Sequence, residues 1–132
     1  MRLYADASAL VKLVVTEPES AALARSIPRR SEVVTSSLAV VEVTRAVRLA
    51  DLVDDAEPDP DAVLAGCTLV DVDLVVLRQA ATLAARSLRT LDSLHLATAL
   101  RVSADTMLTY DRQLGRAARA AGLHVEAPGA AP

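Results

Sequence analysis

Four carboxylates in this chain stand where a soluble fold has little use for them. Asp6 interrupts the apolar run "RLYADASALVKL" at the junction of a short strand and a helix. Burying an unpaired carboxylate costs several kcal/mol or drives it to take up a proton, so Asp6 either turns the chain or belongs to a site. Glu42 lies in the helical stretch "SLAVVEVTRAVRLA". On a wheel of ~100° per residue starting at Leu38 it falls near ~40°, between Leu49 at ~20° and Ala46 at ~80°. Thr44, Arg45 and Arg48 take the other side, where a solvated glutamate belongs. Asp92, in "LDSLHLATALRVS", falls between Ala99 and Leu96 on the same construction, facing the core. Asp111 follows the strand-like "TMLTY" and opens "DRQLGRAARAAG". Like charges gathered at one place raise one another's pKa unless a cation neutralises them. Oxygen-only ligands suit Mg²⁺ or Mn²⁺ better than zinc, and such ions promote attack on a phosphoryl group. The residues therefore point to a metal-dependent nuclease or phosphatase.

The elements that must bring these acids together alternate along the chain. Strands are expected at residues 3–5, from Glu32, from Thr68 and from Thr106, with a further one in "LHVE". Helices are expected from Ser8, after the capping-box pair Thr16 and Glu19, from Ser37 to about Ala50, in "DAVLAG" up to Gly66, over Asp73–Ser87, from Leu91 and from Asp111 to Gly122. Apolar strands alternating with helices predict a parallel sheet covered on both faces. In such sheets sites form at the carboxyl ends of strands, where Asp6 and Asp111 fall.

Composition narrows the class. The chain has 132 residues, enough for one domain, and its hydrophobic share of 52% includes only 2% aromatics, Tyr4 and Tyr110. That disfavours modules that read bases by stacking. One cysteine, Cys67, excludes an internal disulfide and fits a reducing, cytoplasmic setting. No apolar stretch is long enough to span a membrane, and Asp6 breaks up any secretory leader. The net charge of −3 argues against a general nucleic-acid binder, but six acids cluster in "DLVDDAEPDPD", Asp51–Asp61. Outside that segment, read as a solvated loop, 11 acidic residues face 14 basic ones.

Taken together, "YADASALVKL", "TSSLAVVEVTRAV", "LRTLDSLHLATAL" and "MLTYDRQL" resemble the four acidic motifs of PIN-domain ribonucleases, and in particular the VapC-type toxins of toxin–antitoxin modules. The resemblance covers nearly the whole chain with the motifs in order. It implies an α/β, PIN-like three-layer fold with a central, mostly parallel sheet of four to five strands flanked by helices. Residues 1–126 would form the nuclease domain and 127–132 a disordered tail. It also implies that Asp6, Glu42, Asp92 and Asp111 hold Mg²⁺ or Mn²⁺, with Asp6 and Asp92 as direct ligands and Glu42 and Asp111 acting through water or on a second ion. Ser8 and Thr109 match small hydroxyl positions that order the site, Ser8 doubling as a helix N-cap. The implied activity is endoribonuclease cleavage of RNA; the implied partners are an antitoxin protein and a second copy of the chain in a homodimer.

Other readings fit less well. A phosphatase of the haloacid-dehalogenase type needs an acid two residues after the first aspartate, where this chain has Ser8. A receiver domain needs a lysine late in the chain, and Lys12 is the only one. A non-catalytic interaction module with the same fold has no need of all four acids. Arg45, Arg48, Arg89, Arg112 and Arg116 flank the motifs as possible phosphate contacts, and His95, beside the apolar face of its helix, reads as structural.

Overall fold

Strand β1 (Arg2–Ala5) is buried on both sides: Leu3 and Ala5 enter one apolar cluster and Tyr4 another, as the alternation of side chains along a strand requires. Only a strand covered on both faces permits this. The computed structural model describes residues 1–50, 59–84 and 86–131. In them β1 is followed by α1 (Ala7–Val14), α2 (Ser20–Ser26), β2 (Glu32–Ser36), α3 (Leu38–Leu49), α4 (Pro60–Ala65), β3 (Thr68–Val70), α5 (Leu74–Ala81), α6 (Thr90–Arg101), β4 (Thr106–Leu108), α7 (Arg112–Ala120) and β5 (His124–Glu126). All four strand pairings are parallel, in the order β3-β2-β1-β4-β5. The expected three-layer α/β architecture is what forms, with five strands.

The strand order fixes where a site can lie. From β1 the chain steps outward through β2 to β3, with α1–α4 packed around Leu3, Ala5, Leu10, Val43 and Leu64 on one face. It then returns to β4 on the other side of β1 and steps out to β5, with α6 and α7 packed around Tyr4, Leu96, Met107 and Leu114 on the opposite face. The direction of winding reverses between β1 and β4, the place where a parallel sheet of this kind forms its site at the carboxyl ends of the strands. Asp6 follows β1, and Asp111 opens the segment after β4.

Several boundaries differ from the sequence-based expectation, each for a local reason. The second helix starts at Ser20 without a Thr16 cap, because the Glu19 carboxylate accepts from Lys12 Nζ at 2.9 Å instead of turning back to the helix. The helix after Asp73 ends at Ala81, where the Thr82 hydroxyl donates to the Gln79 carbonyl. Strand β4 ends at Leu108, since the Tyr110 N–H leaves the ladder and donates to Ser8 Oγ at 2.9 Å. Most of the acidic segment lies outside the described residues; Asp59 is within them and caps α4 through Oδ1. Residues 127–131 lie against the domain. The Tyr110 hydroxyl donates to the Pro128 carbonyl at 2.7 Å, and Gly129, at φ +79°, passes so close to α2 that a Cβ would stand 3.0 Å from Ala22 Cβ.

Candidate active site

Asp6 is only 4% exposed and is held by a cradle of hydroxyls. Its Oδ1 accepts from Ser8 Oγ at 2.6 Å and from the Ala9 N–H at 3.1 Å, and its Oδ2 accepts from Thr109 Oγ1 at 2.6 Å. The aspartate is thus itself the N-cap of α1, and Ser8, expected to cap, sits inside the first turn. Ser8 Oγ accepts in turn from the Tyr110 N–H, and Thr109 Oγ1 from the Asp111 N–H at 3.1 Å, so the two hydroxyls tie the end of β4 to Asp6. Burial still dominates: it pushes the Asp6 carboxyl above its ordinary range, and the hydroxyl bonds only offset part of that. Thr109→Val keeps the shape while removing a donor to Asp6 and an acceptor for Asp111. Thermal unfolding is expected to show a loss of about 1–3 kcal/mol that grows as pH rises and Asp6 ionises; an equal melting curve at every pH would contradict the cradle.

The other three acids come from segments joined to this one: Asp111 through Thr109, Glu42 through His95 and Tyr4, and Asp92 from the helix that carries His95. Asp92 lies in the first turn of α6, and its carboxyl is raised by partial burial, then by the negative charges of Asp111, Asp6 and Glu42. Asp111 caps α7, its Oδ1 accepting from the Gln113 and Leu114 amides. Glu42 requires a correction. The buried side of α3 is Ala39, Val43 and Val47, while Leu49 is 77% exposed. The apolar residues of α3 spread over an arc wider than the core covers, its buried part is centred on Val43, and Glu42 stands on the rim.

What holds Glu42 there is a bond between the two helical layers. His95 Nε2 lies 2.7 Å from Glu42 Oε1, and His95 Nδ1 lies 2.7 Å from the Tyr4 hydroxyl. Tyr4 is fully buried and His95 2% exposed. The tautomer with its proton on Nε2 satisfies both contacts: Nε2–H donates to Glu42 Oε1, and Nδ1 accepts from the Tyr4 hydroxyl. Burial and the nearby Asp6 charge push the Tyr4 phenol up, which keeps it a donor. His95 is thus structural as expected, but its structure is that of a strut for a site residue. A sequence signal existed: the single aromatic of a Leu/Val/Ala strand and a histidine on a buried helical face each need a polar partner.

The donor set fits a hard divalent ion. It consists of oxygen atoms, and two of its carboxyls are pushed towards protonation, a state that a cation relieves. Among the described residues no three Asp, Glu, His or Cys side chains yet converge closely enough to hold an ion. Asp6 commits both oxygens to the protein's own donors, and Glu42 and Asp111 commit one each. Glu42 Oε2, Asp111 Oδ2 and the Asp92 carboxylate stand outside those bonds among the described residues.

Comparison with known proteins agrees with this geometry. Residues 3–120 match the PIN domain family. The chain is similar to "Ribonuclease VapC46" of Mycobacterium tuberculosis, 44% identical over 128 residues that cover 96% of this chain and 97% of that protein. Among solved structures it is similar to FitAcB from Neisseria gonorrhoeae, with a TM-score of 0.68 at 19% identity over 96% of this chain and 97% of that one. It is also similar to a chain of a toxin–antitoxin complex from Klebsiella pneumoniae, with a TM-score of 0.64 at 17% identity over 84% and 87% of the two chains.

Proposed function

Because the chain belongs to the PIN domain family, we propose that it is a metal-dependent endoribonuclease and the toxin of a toxin–antitoxin pair. The observation that carries the reading is the hydrogen-bonded assembly at the reversal point of the sheet: Thr109 Oγ1 joins the Asp6 carboxylate to the Asp111 N–H, and His95, one turn along α6 from Asp92, joins Glu42 to Tyr4 of β1. Asp6 and Asp92 are the direct ligands of Mg²⁺ or Mn²⁺, and Glu42 and Asp111 act through water or on a second ion. When bound, the ion supplies an activated water and a positive centre for the charge that builds on the phosphoryl oxygens. The chain's own part is positional. Ser8 and Thr109 keep Asp6 from rotating, His95 fixes one oxygen of Glu42, and the α7 amides fix one oxygen of Asp111. These bonds fix one side of each of the three carboxylates, which leaves less to order when the ion binds.

The partners follow from the same reading. A protein antitoxin covers the acidic crevice, and a second copy covers apolar surface that α3 and α5 leave exposed at Val40, Val41, Leu74, Val75 and Leu77. No helix among the described residues is long and apolar enough to cross a membrane, and the site of action is the cytoplasm. The test is cleavage of single-stranded RNA by the purified chain. Activity is expected with Mg²⁺ or Mn²⁺, and is expected to fall to background with EDTA and in Asp92→Asn. Cleavage that survives EDTA sinks the metal site, and hydrolysis of a phosphomonoester with RNA left intact would favour a phosphatase.

A further inference from the structure

Helix α7 carries three arginines, Arg112, Arg116 and Arg119, at i, i+4 and i+7. On a wheel they fall within about 60° of one another, opposite the buried Leu114 and Ala118, and so form a single exposed stripe. Beside the stripe runs an open groove of about 470 Å³. Thr109 and Asp111 stand at its inner end, Gly115 and Val125 line it, and Ala127, Ala130 and Ala131 of the C-terminal segment belong to its wall. At Gly115 the helix runs beside β5, where a Cβ would rest in ordinary contact with Val125 Cγ1 at 3.5 Å and Arg119 Nη1 at 3.9 Å. Among the described residues none of the three arginines is in an ion pair; Arg119 makes one long bond, 3.5 Å, to the Val125 carbonyl.

Unpaired guanidinium groups along a small-residue wall ask for an anion. The stripe extends about 10 Å along the helix, starting next to Asp111. That gives the ligand two properties: repeated negative charge, and one end at the acidic site. The groove's aromatic, Tyr110, has its hydroxyl tied to Pro128 and Lys12 Nζ 4.7 Å from its ring centroid, so it is already engaged. Recognition is then by backbone charge and not by base identity.

We propose that this groove is the phosphate track for the RNA strand next to the bond being cut, with Arg112, Arg116 and Arg119 contacting consecutive backbone phosphates. The assignment rests on the ribonuclease reading, and it places substrate contacts on the α7 side of the crevice.

Binding without turnover separates the two ideas. The full chain in EDTA is titrated with a labelled mixed-sequence single-stranded RNA over a range of salt concentrations. Each phosphate contact contributes about 0.7 to the slope of log affinity against log salt. Arg112→Gln/Arg116→Gln/Arg119→Gln is therefore expected to lower the slope by about 2, and affinity by about 100-fold at 0.1 M salt. Arg116→Gln alone lowers the slope by about 0.7, which serves if the triple variant melts early. Arg29→Gln/Arg30→Gln, just before β2 at the opposite edge of the sheet, leaves the slope unchanged. In cleavage with metal restored, the loss falls on KM and not on kcat. Wild-type binding with an unaltered slope in the arginine variants overturns the groove and leaves the nuclease reading standing. Absence of RNA binding by the wild type overturns both. Unaltered RNA binding with weakened capture of an acidic peptide would assign the groove to a protein partner instead, and overturns the proposal.

Discussion

Asp6→Asn is expected to abolish RNA cleavage, by at least about 10³-fold, and at the same time to raise the melting temperature of the metal-free protein. The two effects have one cause. Asparagine has the shape of aspartate, and its carbonyl oxygen can take the bonds that Oδ1 now accepts from Ser8 Oγ and the Ala9 N–H. Its amide would donate to Thr109 Oγ1, whose own proton can turn to Ser8 Oγ, 3.4 Å away. The cap and the cradle survive, while the desolvated charge is gone. Removing an uncompensated buried charge is worth on the order of 1 kcal/mol or more, several degrees of melting temperature for a chain of this size. The pH dependence carries the sign. Burial raises the Asp6 carboxyl above its ordinary value of 3.8, so the folded chain binds a proton that the unfolded chain has already released. Stability contributed by the protonated form is complete at low pH and is lost as pH rises through the folded-state value; Asp92, raised for similar reasons, adds in the same direction. Calorimetry from pH 4 upward should show this slope in the wild type and a shallower one in Asp6→Asn. Added Mn²⁺ should restore stability to the wild type alone, because only there does the folded state gain a ligand. A variant that melts below the wild type at neutral pH would mean that Asp6 is chiefly a structural cap.

The contrast between Asp6 and Glu42 shows what the sequence could reveal. Asp6 was legible because a strand end is a fixed place: a charge after three apolar residues at the start of a parallel sheet has few positions to occupy. Asp111 was legible for the same reason, and the alternation of apolar strands with helices determined the sheet itself. Glu42 was singled out by a wheel whose apolar arc was misplaced, since Val40, Val41 and Leu49 are as apolar as the residues that are buried. Periodicity gives the direction of an apolar arc and not which part of a wide arc the core will cover. Ser8 was marked as a helix cap when the cap is Asp6, because both residue types serve that role and only the chain path decides between them. The pairing of His95 with Tyr4 and Glu42 joins three segments that are distant in sequence; local pattern marks Tyr4 and His95 as each needing a polar partner and does not say which.

That pairing yields the other large effect. His95→Phe fills the same space but withdraws the acceptor from Tyr4 and the donor from Glu42. Tyr4, fully buried, loses its 2.7 Å partner, and the expected cost is about 2–3 kcal/mol. Tyr4→Phe strands His95 Nδ1 in the same way, at about 1–2 kcal/mol. Replacing both partners leaves neither group orphaned, so Tyr4→Phe/His95→Phe should be more stable than the sum of its parts by about 1 kcal/mol or more in a double-mutant cycle. Activity should not follow stability. Glu42 has lost its anchor in His95→Phe and in the double variant alike, and a second-tier contact of this kind is worth about 10–100-fold. Tyr4→Phe keeps the Nε2–H towards Glu42 and should cost only a few-fold, as the ring loses the bond that selects its tautomer. Stability is thus regained in the double variant and cleavage is not. Should cleavage return along with stability, His95 would be serving the core alone and Glu42 would need no holding.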